Sequence, residues 1–238
     1  GGRWAFHYLG TYQTEEEAAK APNDPNAQGR KKHAGDAIFE DVNNDGQLDS
    51  KDMKFMGYIR PDKVGGIVNS FKYKGLTVRV VMDWAMGHVI DNGFKGQIMG
   101  SSRNNNNAIK DAMTNSWQSA NDGTKYPKYT VQSDYDYQYR NHMRWDNQIG
   151  SSESGSTNNS LYFSKGDYLA FREVSLSYML PSTWVRKIRL SGVEVFAGAY
   201  NIGYIKKYDG MFPEIYTGVD YGVYPRPRQY NMGVKINF

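Results

Sequence analysis

The chain of 238 residues contains no cysteine. A disulfide framework and a thiol nucleophile are therefore both excluded. It also lacks any run of about 18 apolar residues, the length a helix needs to cross a bilayer. Histidine is scarce: His7, His33, His88 and His142 are scattered over polar segments with no HExxH spacing. Neither a GxSxG elbow, a GxGxxG turn nor a phosphate-binding loop is present, and no two carboxylates stand out as a glycosidase pair, so no catalytic constellation is expected. Charge of one sign is missing too, since 29 Lys and Arg face 25 Asp and Glu for a net +4. The one compact basic cluster, Arg30-Lys31-Lys32-His33, reads as a solvated loop rather than a nucleic-acid arm, and no nucleic-acid partner is expected. Gly1-Gly2-Arg3-Trp4 has neither the charged nor the apolar region of a secretory signal, which leaves a removed signal or an internal start.

What is present favours strands. With 19 Tyr, 25 Gly and 14% aromatic residues, the composition is that of an all-β chain, although its mean hydropathy of -0.72 is that of a polar protein. In "GLTVRVVMDWAMG", Leu76, Val78, Val80, Met82, Trp84 and Met86 alternate with Thr77, Arg79, Val81, Asp83 and Ala85. That period of two spans about 11 residues, too long for an ordinary globular strand of five or six and right for a tilted strand crossing a bilayer. "FREVSLSYML" repeats it, with Val174, Leu176 and Tyr178 opposed to Glu173, Ser175 and Ser177. "GGIVNSFKYK" and "RLSGVEVFAGAYN" add two more strands, the second carrying an apolar row of Val193, Val195, Ala197 and Ala199. "YNMGVKINF" adds a fifth.

The five predicted strands are 65–74, 75–87, 166–180, 188–201 and 228–238. Their connections alternate strictly: tight at Lys74-Gly75, long over 88–165, short at "PSTWVRK", long over 202–227. Short turns on one side and long polar loops on the other are the pattern of an outer-membrane β-barrel. Trp84, Tyr168, Tyr178, Trp184, Tyr200 and Tyr230 sit near strand ends, where interfacial aromatic girdles lie. Five strands cannot close a barrel, and unpaired backbone in lipid costs several kcal/mol per group. The expected architecture is thus the C-terminal strands of a large transmembrane antiparallel barrel in the bacterial outer membrane, with residues 1–64 as an extracellular loop and 65–238 as barrel wall. Arg79, Asp83, Glu173 and Ser175 are expected on the lumen side, and the apolar row on the lipid side.

Six blocks in order carry a family resemblance: "GTYQTEEEAAKA", "GDAIFEDVNNDGQLDSKDMKFMG", "YKGLTVRVVMDWAMG", "GDYLAFREVSLSYMLP", "AYNIGYIKKYDGMFPE" and "YPRPRQYNMGVKINF". Together they resemble the C-terminal part of the SusC/RagA-like TonB-dependent outer-membrane transporters. The chain departs from the family at Ala170, Ser177 and Phe212, where Arg, Gly and Asp are usual. The resemblance implies a barrel of about 22 strands, a plug and a TonB-contacting segment lying outside these residues, a SusD-like surface lipoprotein as partner, and import of oligosaccharides or oligopeptides. It implies no enzymatic activity.

Three local features add site expectations. "DVNNDGQLDSKD" places Asp41, Asn43, Asp45, the Gln47 carbonyl, Asp49 and Asp52 at the spacing of a calcium loop with Gly46 at its turn, so a structural Ca2+ is expected. The long loop after the second strand carries Trp117, Tyr135, Tyr137 and Trp145 among polar residues, a surface suited to sugar rings or peptide groups. In the last strand, Asn231, Gly233, Ile236 and Phe238 match the terminal assembly motif of outer-membrane proteins. Thr14 and Glu17 have the spacing of a capping box, which predicts a short helix. Two other readings stay open on the residues alone: a secreted calcium-stabilised β-sandwich that binds glycans, and a glycan-cleaving enzyme on a β scaffold.

Overall fold

A computed structural model of the chain describes residues 1–100, 109–130, 135–141 and 159–238. They form two units that interleave along the sequence: Gly1–Arg60, Val89–Ser164 and Glu214–Val223 in the first, Pro61–His88, Lys165–Pro213 and Tyr224–Phe238 in the second.

The second unit is built on one antiparallel sheet of five strands: β1 (Lys63–Tyr73), β2 (Leu76–Met86), β3 (Tyr168–Met179), β4 (Gly192–Lys206) and β5 (Gln229–Asn237). Their order across the sheet is their order in sequence, so every neighbouring pair is joined by the next connection of the chain. The β1–β2 hairpin closes on two residues, Lys74 (φ 46) and Gly75 (φ 86). Two successive positive φ values define the type I′ turn, whose twist matches that of the strands it joins. At β3–β4, residues Ser182–Val185 and Arg186–Ile188 wind into helical turns that end on Arg189 in the left-handed region (φ 58). The strand expected from residue 188 therefore begins at Gly192, and it runs on to Lys206 instead of stopping at 201.

Register decides the faces. Across β1 to β5, Val80 lies opposite Asn69 and Val174, Val174 opposite Ala199, and Ala199 opposite Tyr230. The next rung joins Phe71, Val78, Leu176, Ala197 and Met232, and the one after it Tyr73, Leu76, Tyr178, Val195 and Val234. Each rung is almost wholly apolar, and side chains in one rung share a face. Much of that face is open: Phe71, Leu76, Val174, Leu176, Tyr178, Val195, Met232 and Val234 are all exposed.

The first unit is made of small pieces. Gly2–Phe6 pairs with Met53–Tyr58, and Tyr8–Thr11 with Ala37–Phe39. Phe6, Ala37, Phe39 and Leu48 form one core, and Met99, Ala112, Tyr126 and Tyr162 another. The predicted short helix is Glu15–Ala18, with Thr14 as its N-cap accepting from the Glu17 amide at 3.2 Å. Glu17 reaches back one residue further than a standard box, to the Gln13 amide at 2.7 Å.

Candidate functional site

The face of the sheet opposite the apolar rungs carries the charge. Arg79 Nε lies 3.4 Å from Glu173, and Ser175 Oγ donates to the same carboxylate at 2.7 Å. Arg79, Asp83, Glu173 and Ser175 thus share one face, as the alternation predicts. Asp83 accepts a two-pronged pair from Arg172, Nε to Oδ1 at 2.6 Å and Nη2 to Oδ2 at 2.8 Å, while Nη1 donates to the Tyr204 hydroxyl at 3.1 Å. A forked guanidinium on a carboxylate is among the stronger polar pairings available to side chains.

Arg172 escapes a reading by alternation. It has the same parity as Val174 and Leu176, which would place it on the apolar face. The register shifts here: Val81 faces Glu173 while Met82 faces Phe171, so Arg172 is the extra residue of a bulge. β4 shifts at the same level, between Tyr200 and Gly203. A bulge reverses the phase of everything beyond it. Phe171 and Leu169 consequently stand opposite Met82 and Trp84, and the apolar face continues without a break. The signal in the sequence is a charge in phase with an apolar row.

The loop expected to hold a cation lies in the first unit and is held by its own amides. Asp41 accepts from Asp45 N (3.3 Å) and Gly46 N (2.9 Å), Asn43 from Asp45 N (3.0 Å), and Asp45 from Gln47 N (2.9 Å). Gly46 sits at φ 76, the turn that the loop requires. Asp49 caps the short turn Ser50–Asp52, and the Lys51 amide and ammonium hold its carboxyl below the usual carboxylate range. Asp52 is fully buried, and both its oxygens are engaged, Oδ1 by Val42 N at 2.9 Å and Oδ2 by Asp49 N at 2.8 Å. Among the described residues, no three His, Cys, Asp or Glu side chains group as a metal centre. The expected set also includes the Asn43 amide oxygen and the Gln47 carbonyl, and a structural Ca2+ held by Asp41, Asn43, Asp45, Gln47, Asp49 and Asp52 remains a proposal.

Beside this loop, Asp36 is buried and binds three partners: Arg140 Nε at 2.6 Å, Asn141 Nδ2 at 2.8 Å and the His33 amide at 2.8 Å. Asn141 in turn accepts from Ala37 N at 2.6 Å. Lys32, expected as part of a solvated basic cluster, is instead buried, and its Nζ donates to the Arg140 carbonyl. Burial pulls its pKa from 10.5 down to about 8, against the opposing attraction of Asp24 and Asp36. A folded value below the unfolded one means that the charged form opposes folding. The full stabilisation is present above pH 10.5, shrinks as pH falls, and is lost below about 8. Amide exchange over residues 24–40 should therefore slow between pH 8 and 10.5, relative to a Lys32→Met variant, by a factor equivalent to about 3 kcal/mol or less. Identical pH profiles for the two proteins would show that Lys32 titrates normally.

The aromatic candidates separate. Trp117 is half-buried in the first unit, and a side chain at Gly35 would meet its ring at 2.5 Å, so the ring packs on backbone. Tyr135 and Tyr137 belong to the helix Tyr135–Arg140, of which only the backbone is described at these two positions, and Trp145 lies outside the described residues, as does His142. At the other end of the chain, β5 is an edge of the sheet. Asn231 faces Gly198, Gly233 faces Phe196, and Ile236 faces Val193, with Phe238 beyond the strand and almost fully exposed.

A meander of long strands, apolar on one face and ion-paired on the other, with hairpins and long loops in alternation, is the kind of sheet from which outer-membrane barrels are made. The comparisons agree. Over its whole length the chain is 24% identical to TonB-dependent receptor P3 of Formosa agariphila, and over 97% of its length 24% identical to TonB-dependent receptor P26 of the same organism. It is 26% identical over 38% of its length to TonB-dependent receptor SusC of Bacteroides thetaiotaomicron. It superposes over its full length on the RagAB peptide transporter with a TM-score of 0.66 at 18% identity, covering 23% of that chain. No family model matches. The chain is thus similar over its length to TonB-dependent receptors, and spans about a fifth (22%) of the length of the first two.

Proposed function

We propose that these residues form part of the wall and extracellular loops of a TonB-dependent importer in the bacterial outer membrane. The protein would move oligosaccharides or oligopeptides inward together with a SusD-like surface lipoprotein, energised by TonB through parts outside these residues, and catalyse no reaction. The observation that carries this reading is the apolar face of β1–β5, exposed across all five strands while its reverse is occupied by Arg172–Asp83 and Arg79–Glu173. Lipid is the solvent that suits such a face. A β-sandwich would bury it against a second sheet, and the exposure of Val174, Leu176 and Val195 speaks against that alternative.

The test is uptake. A strain lacking the gene should stop growing on either oligopeptides or oligosaccharides as the sole nutrient, and a strain lacking TonB should show the same loss. Unimpaired growth on both, or recovery of the protein as a detergent-independent monomer, would remove the reading.

The terminal motif belongs to the same proposal. Asn231, Gly233, Ile236 and Phe238 would be read by strand pairing at the open edge of β5, where unpaired amides and carbonyls serve as template. Deleting Phe238 from the full-length protein should sharply lower the amount that reaches the membrane folded. Because its ring is exposed, the stability of molecules already folded should change by no more than about 0.5 kcal/mol. An unchanged folded yield in the outer-membrane fraction would show that Phe238 is not read.

A further inference from the structure

The first unit contains an open cavity of about 610 Å3 that the sequence does not announce. One wall is apolar, formed by Ala18, Ala19, Ala21 and Pro22, and the other is made by the run Arg30–His33 with Glu15 and Asp24. Four positions that can carry positive charge thus meet two carboxylates. The charges are not equivalent. His33 Nδ1 is paired with Glu15 at 3.2 Å. Arg30 Nε is paired with Asp136 at 2.5 Å, and its guanidinium lies over the Tyr139 ring at 4.7 Å. Lys32 is bound to the Arg140 carbonyl and faces Asp24 and Asp36. Lys31 is exposed at the rim and, among the described residues, is the lining cation with no ion pair or hydrogen bond.

From this imbalance we infer that the cavity binds a carboxylate borne by a small organic group, with Lys31 as its counter-ion and Ala18, Ala19, Ala21 and Pro22 as the seat of the group behind it. An unmatched ammonium beside an apolar wall favours an anion, because the wall lowers the local dielectric and strengthens the attraction. The cavity is large enough for a residue or a sugar ring. This deepens the importer reading, on which it rests for the identity of the bearer. The carboxylate can come from a peptide C-terminus or from a uronic acid, and the chemistry at Lys31 is the same for both.

Four probes decide between these sources and test the site: N-acetyl-dialanine and its C-terminal amide, galacturonic acid and its methyl ester, each titrated into the full-length protein in detergent. At least one acid should bind, its neutral counterpart about tenfold more weakly, and Lys31→Gln should weaken the acid to the same extent. Raised ionic strength should weaken the acid further and leave the neutral probe unchanged. Binding of the peptide acid alone assigns a peptide, and of the uronate alone a glycan. Lys31 is exposed, so its replacement leaves the fold intact, and Lys31→Arg should restore the acid. The inference fails if neither acid binds, if acid and neutral forms bind equally, or if Lys31→Gln binds the acid as the native protein does. The growth test above turns on loss of the whole gene and not on this cavity, so the two readings fall separately.

Discussion

Replacing Val80 with arginine should destabilise the inserted protein by about 2–4 kcal/mol, among the largest effects available to a single surface change. Val80 is next to the centre of the 11-residue strand Leu76–Met86, and its neighbours on the same rung are Asn69 and Val174, with Ala199 and Tyr230 beyond. In the proposed orientation this rung lies near the bilayer midplane, where a guanidinium has no water and no carboxylate within reach. The neighbouring position supplies the control. Val81 stands on the opposite face, directly across from Glu173. Val81→Arg should therefore cost far less, since the new charge gains a carboxylate partner on a wet face. Reversible urea unfolding in phospholipid vesicles measures both. Equal costs at 80 and 81 would mean that the sheet does not separate a lipid face from a polar one.

Asp52→Ala should loosen the loop of residues 41–52 by about 2–4 kcal/mol, because two amides lose a charged acceptor at once. The Val42 and Asp49 amides both end on the Asp52 carboxylate, at 2.9 and 2.8 Å, and the side chain is inaccessible to water that could replace it. The second of these bonds is also half of a capping box, in which Asp49 caps the turn Ser50–Asp52. The result should be much faster protease cleavage near residues 36–56 with the sheet of the second unit intact. Asp52→Asn should fall between, as it keeps one acceptor oxygen. The same assay tests the cation expected from the spacing of Asp41, Asn43, Asp45, Gln47, Asp49 and Asp52. Unchanged cleavage with calcium or with a chelator present would show a loop held by its own amides alone. If the chelator reproduced the effect of Asp52→Ala, the loop would depend on a bound ion instead.

How much of this was legible in sequence differs between the two units. In the sheet, the apolar period of two survives as face: Leu76, Val78 and Val80 align with Tyr178, Leu176 and Val174 because side chains alternate strictly along a strand and register then adds strand to strand. Arg172 is out of reach of the same rule, since a bulge is a local backbone event that leaves only a phase conflict in the sequence. In the first unit, periodicity is absent and proximity is long-range. Nothing along the chain announces that Arg140 and Asn141 meet Asp36, about a hundred positions away.

The sequence by itself determined the class of this protein: long alternating strands, connections alternating between tight and extended, and six blocks in order that resemble SusC/RagA-like transporters. Those are properties of order and period, which a chain carries before it folds. Only the tertiary structure decided which charges are spent and which remain. Lys32 is driven into the interior while Lys31 beside it stays at the rim of a cavity, and Asp52 is taken by two amides. The physical reason is that burial and pairing depend on segments distant in sequence. A lysine or an aspartate has the same letter whether its partner is water, an amide or nothing.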